Sequence, residues 1–441
     1  MSTTSPASTN VKPTSLYFGG AAGRGVSEGW LLVQACGHGG GAKRAFVLPT
    51  PSKTAFAMPV LPTYHTIDRE VAERPWYTAT KVRAARGWQP HCMVYQPCAV
   101  GTEGHTVSLT LSILDQSPVN DTETATETAT EAFQHTIELA QKAEAWGYHR
   151  FWVSEHHSSD RVMGSSPEVL IAHLLAKTTR MRVGSGGVML QHYSPYKVAE
   201  NFNVLASLAP GRVDLGIGRG PGGLPRSTRA LQQGLGDRTQ PFAEKLLELE
   251  QFLHNRLQET HPLYGLRVSP MPPQPAEVFL LGTTTSSAEQ AASLGMPYVF
   301  AQFLNSDATT MDEALATYHT CFDATKRKPP RAMLALSVIA ADTDEEARQY
   351  ASDIKMVRIR LESGRAFSVG SLTAAEEFAR QAQENYTVTM HQMNVVHGTR
   401  DTVLRQLYDM QRRYQVEELI IVTAIKDFRK RLHSYELLSN I

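Results

Sequence analysis

From residue 107 onward, short apolar runs alternate with segments whose apolar residues recur at helical spacing. The runs at 109–118, 149–157, 180–190, 212–220, 277–282, 297–303, 332–341 and 418–425 predict strands. Helices are expected near 130–146, 167–179, 195–209, 240–256, 286–294, 307–325, 343–361, 400–414 and 428–439. Pro167 sits early in its helix, where the missing N–H costs nothing, and Pro210-Gly211 stops the next one. The strands are continuous apolar runs, as expected of a parallel sheet buried on both faces.

Eight such strands, each followed by a helix, predict an α/β chain closed into a (β/α)8 TIM-type barrel with right-handed crossovers. An open doubly wound sheet is the alternative, but no dinucleotide fingerprint follows the first strand. Segment 362–395 carries no strong strand and reads as an insertion before the last βα unit. Residues 1–106 differ from the rest: Gly, Pro, Ser and Thr are frequent, and apolar pieces such as Trp30–Val33 and Ala45–Leu48 are short. Such a composition buries too little apolar area to offset chain entropy, so 1–106 is expected to be an N-terminal extension, disordered or outside the core, with 107–441 as the barrel. A targeting segment, a docking lid and a true start at Met93 compete with that reading.

The 441 residues carry 43 basic and 43 acidic side chains, so bulk charge attracts the chain to neither nucleic acid nor anionic membrane. No apolar stretch is long enough to span a bilayer. Four scattered cysteines without a CxxC pair suggest a reducing, cytoplasmic setting.

Chemistry in a barrel of this kind sits at the carboxyl ends of the strands. Those ends carry Asp115-Gln116-Ser117, Ser154-Glu155-His156-His157, Ser185-Gly186-Gly187, Gly218-Arg219-Gly220 and Gly282-Thr283-Thr284-Thr285-Ser286-Ser287. A histidine and a carboxylate can do acid–base work, and an arginine beside hydroxyls at a helix start suits a phosphate. Read singly, a strand-end histidine is a structural residue and a run of Thr and Ser is a helix cap; their convergence on one rim favours a site. Adjacent strand residues point to opposite faces, so His156 and His157 cannot both ligate one ion from the strand, and no metal site is expected. The GxGxxG pattern at Gly218–Gly223 ends a strand without opening a helix and is weak evidence for a dinucleotide. Gly186-Gly187 inside a strand points to a bulge or a close ligand approach.

The order and spacing of Leu114-Asp115-Gln116-Ser117-Pro118, Ser154-Glu155-His156-His157, the segments 182–190, 192–200 and 211–220, and the ending 431–438 resemble the bacterial luciferase-like flavin-dependent monooxygenases. The start Leu114–Pro118 and the ending 431–438 resemble the subgroup of luciferase-like oxidoreductases of secondary metabolism. The resemblance covers about 108–440. It implies a TIM-like barrel that uses reduced FMN, supplied by a separate flavin reductase, and molecular oxygen on a small organic substrate through a C4a-peroxyflavin. It makes His156 the active-site base and places a non-proline cis peptide against the flavin ring at Gly186-Gly187. It assigns the flavin phosphate to Arg219, to Arg229 in the following loop, and to Thr283, Thr284 and Ser287 at the helix start after the fifth strand. Gly218 stands where the light-emitting members carry a reactive cysteine, so bioluminescence is not expected.

The family commonly dimerises through its second and third helices, where Ala172, Ala176, Ala199 and Ala206 suit either close helix contact or core packing. A homodimer is expected. A deazaflavin-dependent hydride-transfer enzyme, a flavin-binding protein without turnover and an unrelated barrel hydrolase are the competing functions.

Overall fold

The computed structural model describes residues 30–34, 45–49, 109–120, 127–233, 240–325, 329–352 and 354–439. Two compact units, Met1–Arg83 and Ala84–Ile441, divide the chain. In the first, strands β1 (Trp30–Gln34) and β2 (Ala45–Pro49) pair antiparallel, so the two apolar pieces of the extension are hydrogen-bonded to each other. The remainder of the expectation for 1–106 lies outside the described residues.

The second unit holds the barrel. Strands β3 (Thr110–Asp115), β4 (Arg150–Val153), β5 (Arg182–Met189), β6 (Val213–Gly218), β7 (Glu277–Gly282), β8 (Tyr298–Ala301) and β9 (Ala332–Ala340) run parallel in that order. Strand β14 (Glu418–Val422) pairs with both β9 and β3 and closes the cylinder. All eight expected strands are therefore present, in the expected topology. Among the described residues no helix is long and apolar enough to cross a membrane.

Strand alternation sorts the side chains. Outward positions such as Ile113, Phe151, Val183, Leu215 and Leu334 join the large apolar layer under the helices. Inward positions build the filling of the barrel, with Leu114, Trp152, Phe279, Met333 and Ile420 in one apolar cluster. Beneath that cluster, toward the strand starts, the filling is ionic. Arg150 donates to Glu418 and Asp214 at 2.9 Å, Arg182 donates to Asp214, and the Trp152 indole N–H reaches Asp214 Oδ2 at 3.0 Å. Asp214 has no exposed surface, and these donors hold its charge in place.

The insertion departs from expectation. The helix expected over 343–361 stops after Asp344–Ser352, and Lys355–Leu361 is a strand, β10. Val357, Ile359 and Leu361 are buried there while Arg358 and Arg360 are exposed, a period of two that conflicts with helix. β10 pairs antiparallel with β11 (Ala366–Val369) and β12 (Tyr386–Gln392), so the segment read as strandless supplies two strands. A helix at Leu372–Ala382 covers one face of this sheet, and together they form a separate apolar cluster. A short strand, β13 (Val396–Gly398), then pairs with the far end of β9. The chain also forms a helix that was not expected, Pro225–Leu231, in the loop after β6.

The ionic floor supports a direct test. Asp214→Asn leaves Arg150 and Arg182 facing a neutral group, and is expected to lower unfolding free energy by about 3–5 kcal/mol. Urea denaturation followed by tryptophan fluorescence measures this, and a loss under about 1 kcal/mol would contradict the role given to Asp214.

Candidate active site

Parity along β4 decides the role of its C-terminal residues. Trp152 fills the barrel, so Ser154 and His156 continue on the same inner face, while Glu155 and His157 turn outward. His156 meets Gln116 from the end of β3, with 3.4 Å between His156 Nε2 and Gln116 Nε2. Its backbone N–H donates to the Gly164 carbonyl at 2.7 Å. Burial pushes the His156 pKa below the usual imidazole value, opposed by the Glu155 charge and reinforced by His157. The ring is therefore neutral at pH 7 and able to accept a proton.

His157 does structural work instead. Its Nε2 lies 2.7 Å from Glu155 Oε1, and the same oxygen accepts from the Tyr193 hydroxyl at 2.8 Å. Glu155 Oε2 accepts the Met189 N–H at 3.0 Å, so a carboxylate with no exposed surface ties the end of β4 to the end of β5. Burial and the adjacent Glu155 carboxylate push the Tyr193 hydroxyl far above its usual pKa, which keeps it a donor. Asp115 is likewise turned outward, accepting from Thr136 at 2.7 Å and from the Ser117 N–H at 3.0 Å. Neither carboxylate at these strand ends faces the barrel mouth.

The glycines of β5 form the bulge expected of them. The pairing of β5 with β6 shifts register between Ser185 and Val188, and the Gly186-Gly187 peptide bond is cis. The close approach is to the barrel's own strands: a Cβ on Gly187 would lie 2.6 Å from the Gly216 carbonyl oxygen, and one on Gly186 2.8 Å from Leu114 Cδ1.

The proposed phosphate residues occupy the same end of the barrel. Arg219 follows β6 directly, is exposed, and lies over the Phe242 ring at 5.9 Å. Arg229 is exposed on the helix Pro225–Leu231. Neither arginine pairs with a carboxylate among the described residues, in contrast to Arg150 and Arg182. Thr284 is the N-cap of the helix Thr285–Leu294 and forms a reciprocal capping box with Ser287, whose hydroxyl also lies 2.9 Å from the Tyr298 hydroxyl. Those two side chains thus already satisfy each other. Thr283 offers its carbonyl to Asn305 Nδ2 at 3.0 Å.

Ser337 escaped the sequence reading, and Ser154 was read only as part of a strand-end motif. Among the described residues the hydroxyls of Ser154 and Ser337 have no hydrogen-bond partner; both are buried, Ser337 on the inner face of β9 and Ser154 directly after β4. The signal that could have found them is parity: each stands two residues beyond an inward apolar residue, Trp152 or Ala335. Buried orphan hydroxyls at the working end of a barrel await a partner, and a polar ligand can supply it. Among the described residues, no group of three or more His, Cys, Asp or Glu is placed to hold a metal ion.

A low His156 pKa has a measurable consequence. The unfolded chain binds the proton first, so this histidine withdraws stability as pH falls below about 6.5. Histidine NMR titration of wild type against His156→Gln should show one resonance titrating below the usual value; a midpoint above it would mean a charged ring at rest.

Comparison with known proteins identifies relatives of the same family and fold. The model of the luciferase-like monooxygenase family matches residues 111–415. The N-acetyl-S-alkylcysteine monooxygenase of Bacillus subtilis (strain 168) is 42% identical over 334 residues, 75% of this chain and 97% of that protein. The crystal structure of apo-MsnO8 is 37% identical and superposes with a TM-score of 0.60, covering 76% of this chain and 97% of the other. The oxygenating constituent of 3,6-diketocamphane monooxygenase of Pseudomonas putida, a complex with FMN, shares the fold with a TM-score of 0.55 at 17% identity, covering 76% of this chain and 97% of its own. With its barrel topology, strand-end motifs and family match, the chain belongs to the luciferase-like monooxygenases.

Proposed function

We propose that this protein is a monooxygenase that binds reduced FMN at the carboxyl end of its barrel and uses molecular oxygen on a small organic substrate. The observation that carries this reading is the pair of cations, Arg219 and Arg229, on the segment after β6, which have no carboxylate partner among the described residues. Two such guanidinium groups fit the dianion of a phosphate monoester, and the N-terminus of the helix Thr285–Leu294 adds a favourable dipole. Gly186 and Gly187 would meet the ring, with the Ser154 hydroxyl as a further donor.

Reduced FMN, when bound, supplies the two electrons with which one oxygen atom enters the substrate and the other leaves as water. The chain's own residues set the conditions. Leu114, Trp152 and Phe279 close the space below the mouth with apolar surface and exclude water from it. His156, neutral and held against Gln116, would exchange a proton with the reacting oxygen through Nε2. Glu155, His157 and Tyr193 stay behind that surface and fix the strand ends. The named activity of the 42% identical relative makes N-acetyl-S-alkylcysteines the substrate class to assay first.

Cofactor and reaction are tested together. Arg219→Ala and Arg229→Ala should each weaken reduced FMN about tenfold, the scale of one charge-assisted hydrogen bond, while leaving reduced riboflavin unchanged. Equal losses for both flavins would reject the phosphate assignment. With a flavin reductase and 18O-labelled oxygen, wild type should place one labelled atom in the product, and His156→Gln should slow turnover about 100-fold or more.

We also propose that the protein is a homodimer. Ala199 and Ala206 are core residues, so they do not form a dimer face. On the same two helices, Pro167–Lys177 and Pro195–Leu208, Val169 and Leu208 are 68% and 71% exposed and Val204 43%, an apolar patch suited to a second copy. Leu208→Glu with Val204→Glu should shift the mass seen by sedimentation from dimer to monomer; wild type running as a monomer would end this proposal.

A further inference from the structure

The helix that carries Arg229 has no support of its own. Pro225–Leu231 contains no buried residue, so the barrel core does not fix its position. The loop before it is tied to the end of β4, where His157 bridges Gly223 and donates its backbone N–H to the Gly222 carbonyl at 2.7 Å, and the helix itself rests on the insertion. Leu224, immediately before the helix, packs against the insertion's apolar cluster, which includes Val357, Ile359 and Phe378. The Arg226 backbone N–H donates to Gln381 Oε1 at 3.0 Å, and Gln381 Nε2 in turn donates to Glu377 at 2.6 Å on the insertion's helix. At the other end, Gln232 Nε2 lies 3.2 Å from His192 Nδ1.

The insertion is itself anchored on two other loops of the same barrel end. Arg161, after β4, donates to the Gly370 carbonyl at 3.0 Å, and the Ser368 hydroxyl donates to the Leu304 carbonyl, after β8, at 3.3 Å. Three separate βα loops therefore meet one folded insertion, and the least supported of them bears a proposed phosphate ligand.

We propose that Leu224 and Gln381 are positioning residues for the cofactor phosphate. The insertion clamps the helix Pro225–Leu231 and thereby sets the guanidinium of Arg229, so affinity for a phosphorylated flavin depends on residues that need not touch it. This inference rests on the assignment of Arg229 to the phosphate. The physical reason is entropic: a short surface helix without a core samples many placements, and a charge–charge bond to a dianion forms fully only when the cation is already in place.

The test measures dissociation constants of photoreduced FMN and riboflavin under anaerobic conditions for Leu224→Ala, Gln381→Ala, Arg229→Ala and the double variant Gln381→Ala/Arg229→Ala. Gln381 lies at the protein surface, so its variant is expected to fold. Leu224→Met, which keeps the apolar contact, serves as the rescue.

Support takes this form: Leu224→Ala and Gln381→Ala weaken FMN several-fold without affecting riboflavin, Leu224→Met restores FMN, and the double variant loses no more than Arg229→Ala alone. If Leu224→Ala and Gln381→Ala weaken both flavins equally, the insertion is a general cover and the inference falls. If Arg229→Ala discriminates the flavins but Gln381→Ala and Leu224→Ala do not, the phosphate assignment stands and the inference fails. If Arg229→Ala shows no discrimination, the assignment itself fails and takes the inference with it.

Discussion

The buried carboxylate of Asp214 is the point on which the barrel's working end depends. It joins β4 through Arg150 and Trp152 to β5 through Arg182, at the level where β6 begins. With no exposed surface, it is stable as an anion only while those donors stay in register. The strands whose ends carry His156, the Gly186-Gly187 peptide and Arg219 are thus locked against one another from below. A one-residue slip of β4 would bury an unpaired charge and turn His156 outward.

A second network repeats this arrangement above. Glu155 draws His157, Tyr193 and the Met189 backbone together on the outer side of the strands. His157 also donates its N–H to the Gly222 carbonyl in the loop after β6. The two adjacent histidines therefore divide the work by strand parity alone. One faces a mouth with unsatisfied hydroxyls and a neutral amide, and the other completes a buried polar cluster that holds the first in place.

The insertion adds a layer that the barrel topology does not require. It has its own sheet, helix and apolar cluster, and its contacts fall on the loops after β4, β6 and β8. A folded unit spanning several loops constrains them together, which short connections of this kind cannot do for themselves.

The eight strands, their order and the strand-end location of the candidate residues could be read in the sequence because each depends on local pattern: continuous apolar runs, proline and glycine stops, and motifs at predictable strand ends. The same local pattern misled at Lys355–Leu361, where a helix start at Asp344 masked the change to a period of two, and at Tyr386–Gln392, whose alternating Thr and apolar residues signal a strand only beside a partner. Which of Glu155, His156 and His157 faces the mouth followed from parity, but parity needs a reference, and only the packing of Trp152 inside the closed barrel supplied it. The contact of Arg226 with Gln381, on which the proposed placement of Arg229 rests, was not legible at all. It joins positions about 155 residues apart, a separation at which contacts are determined by how the chain closes on itself and not by any periodicity along it.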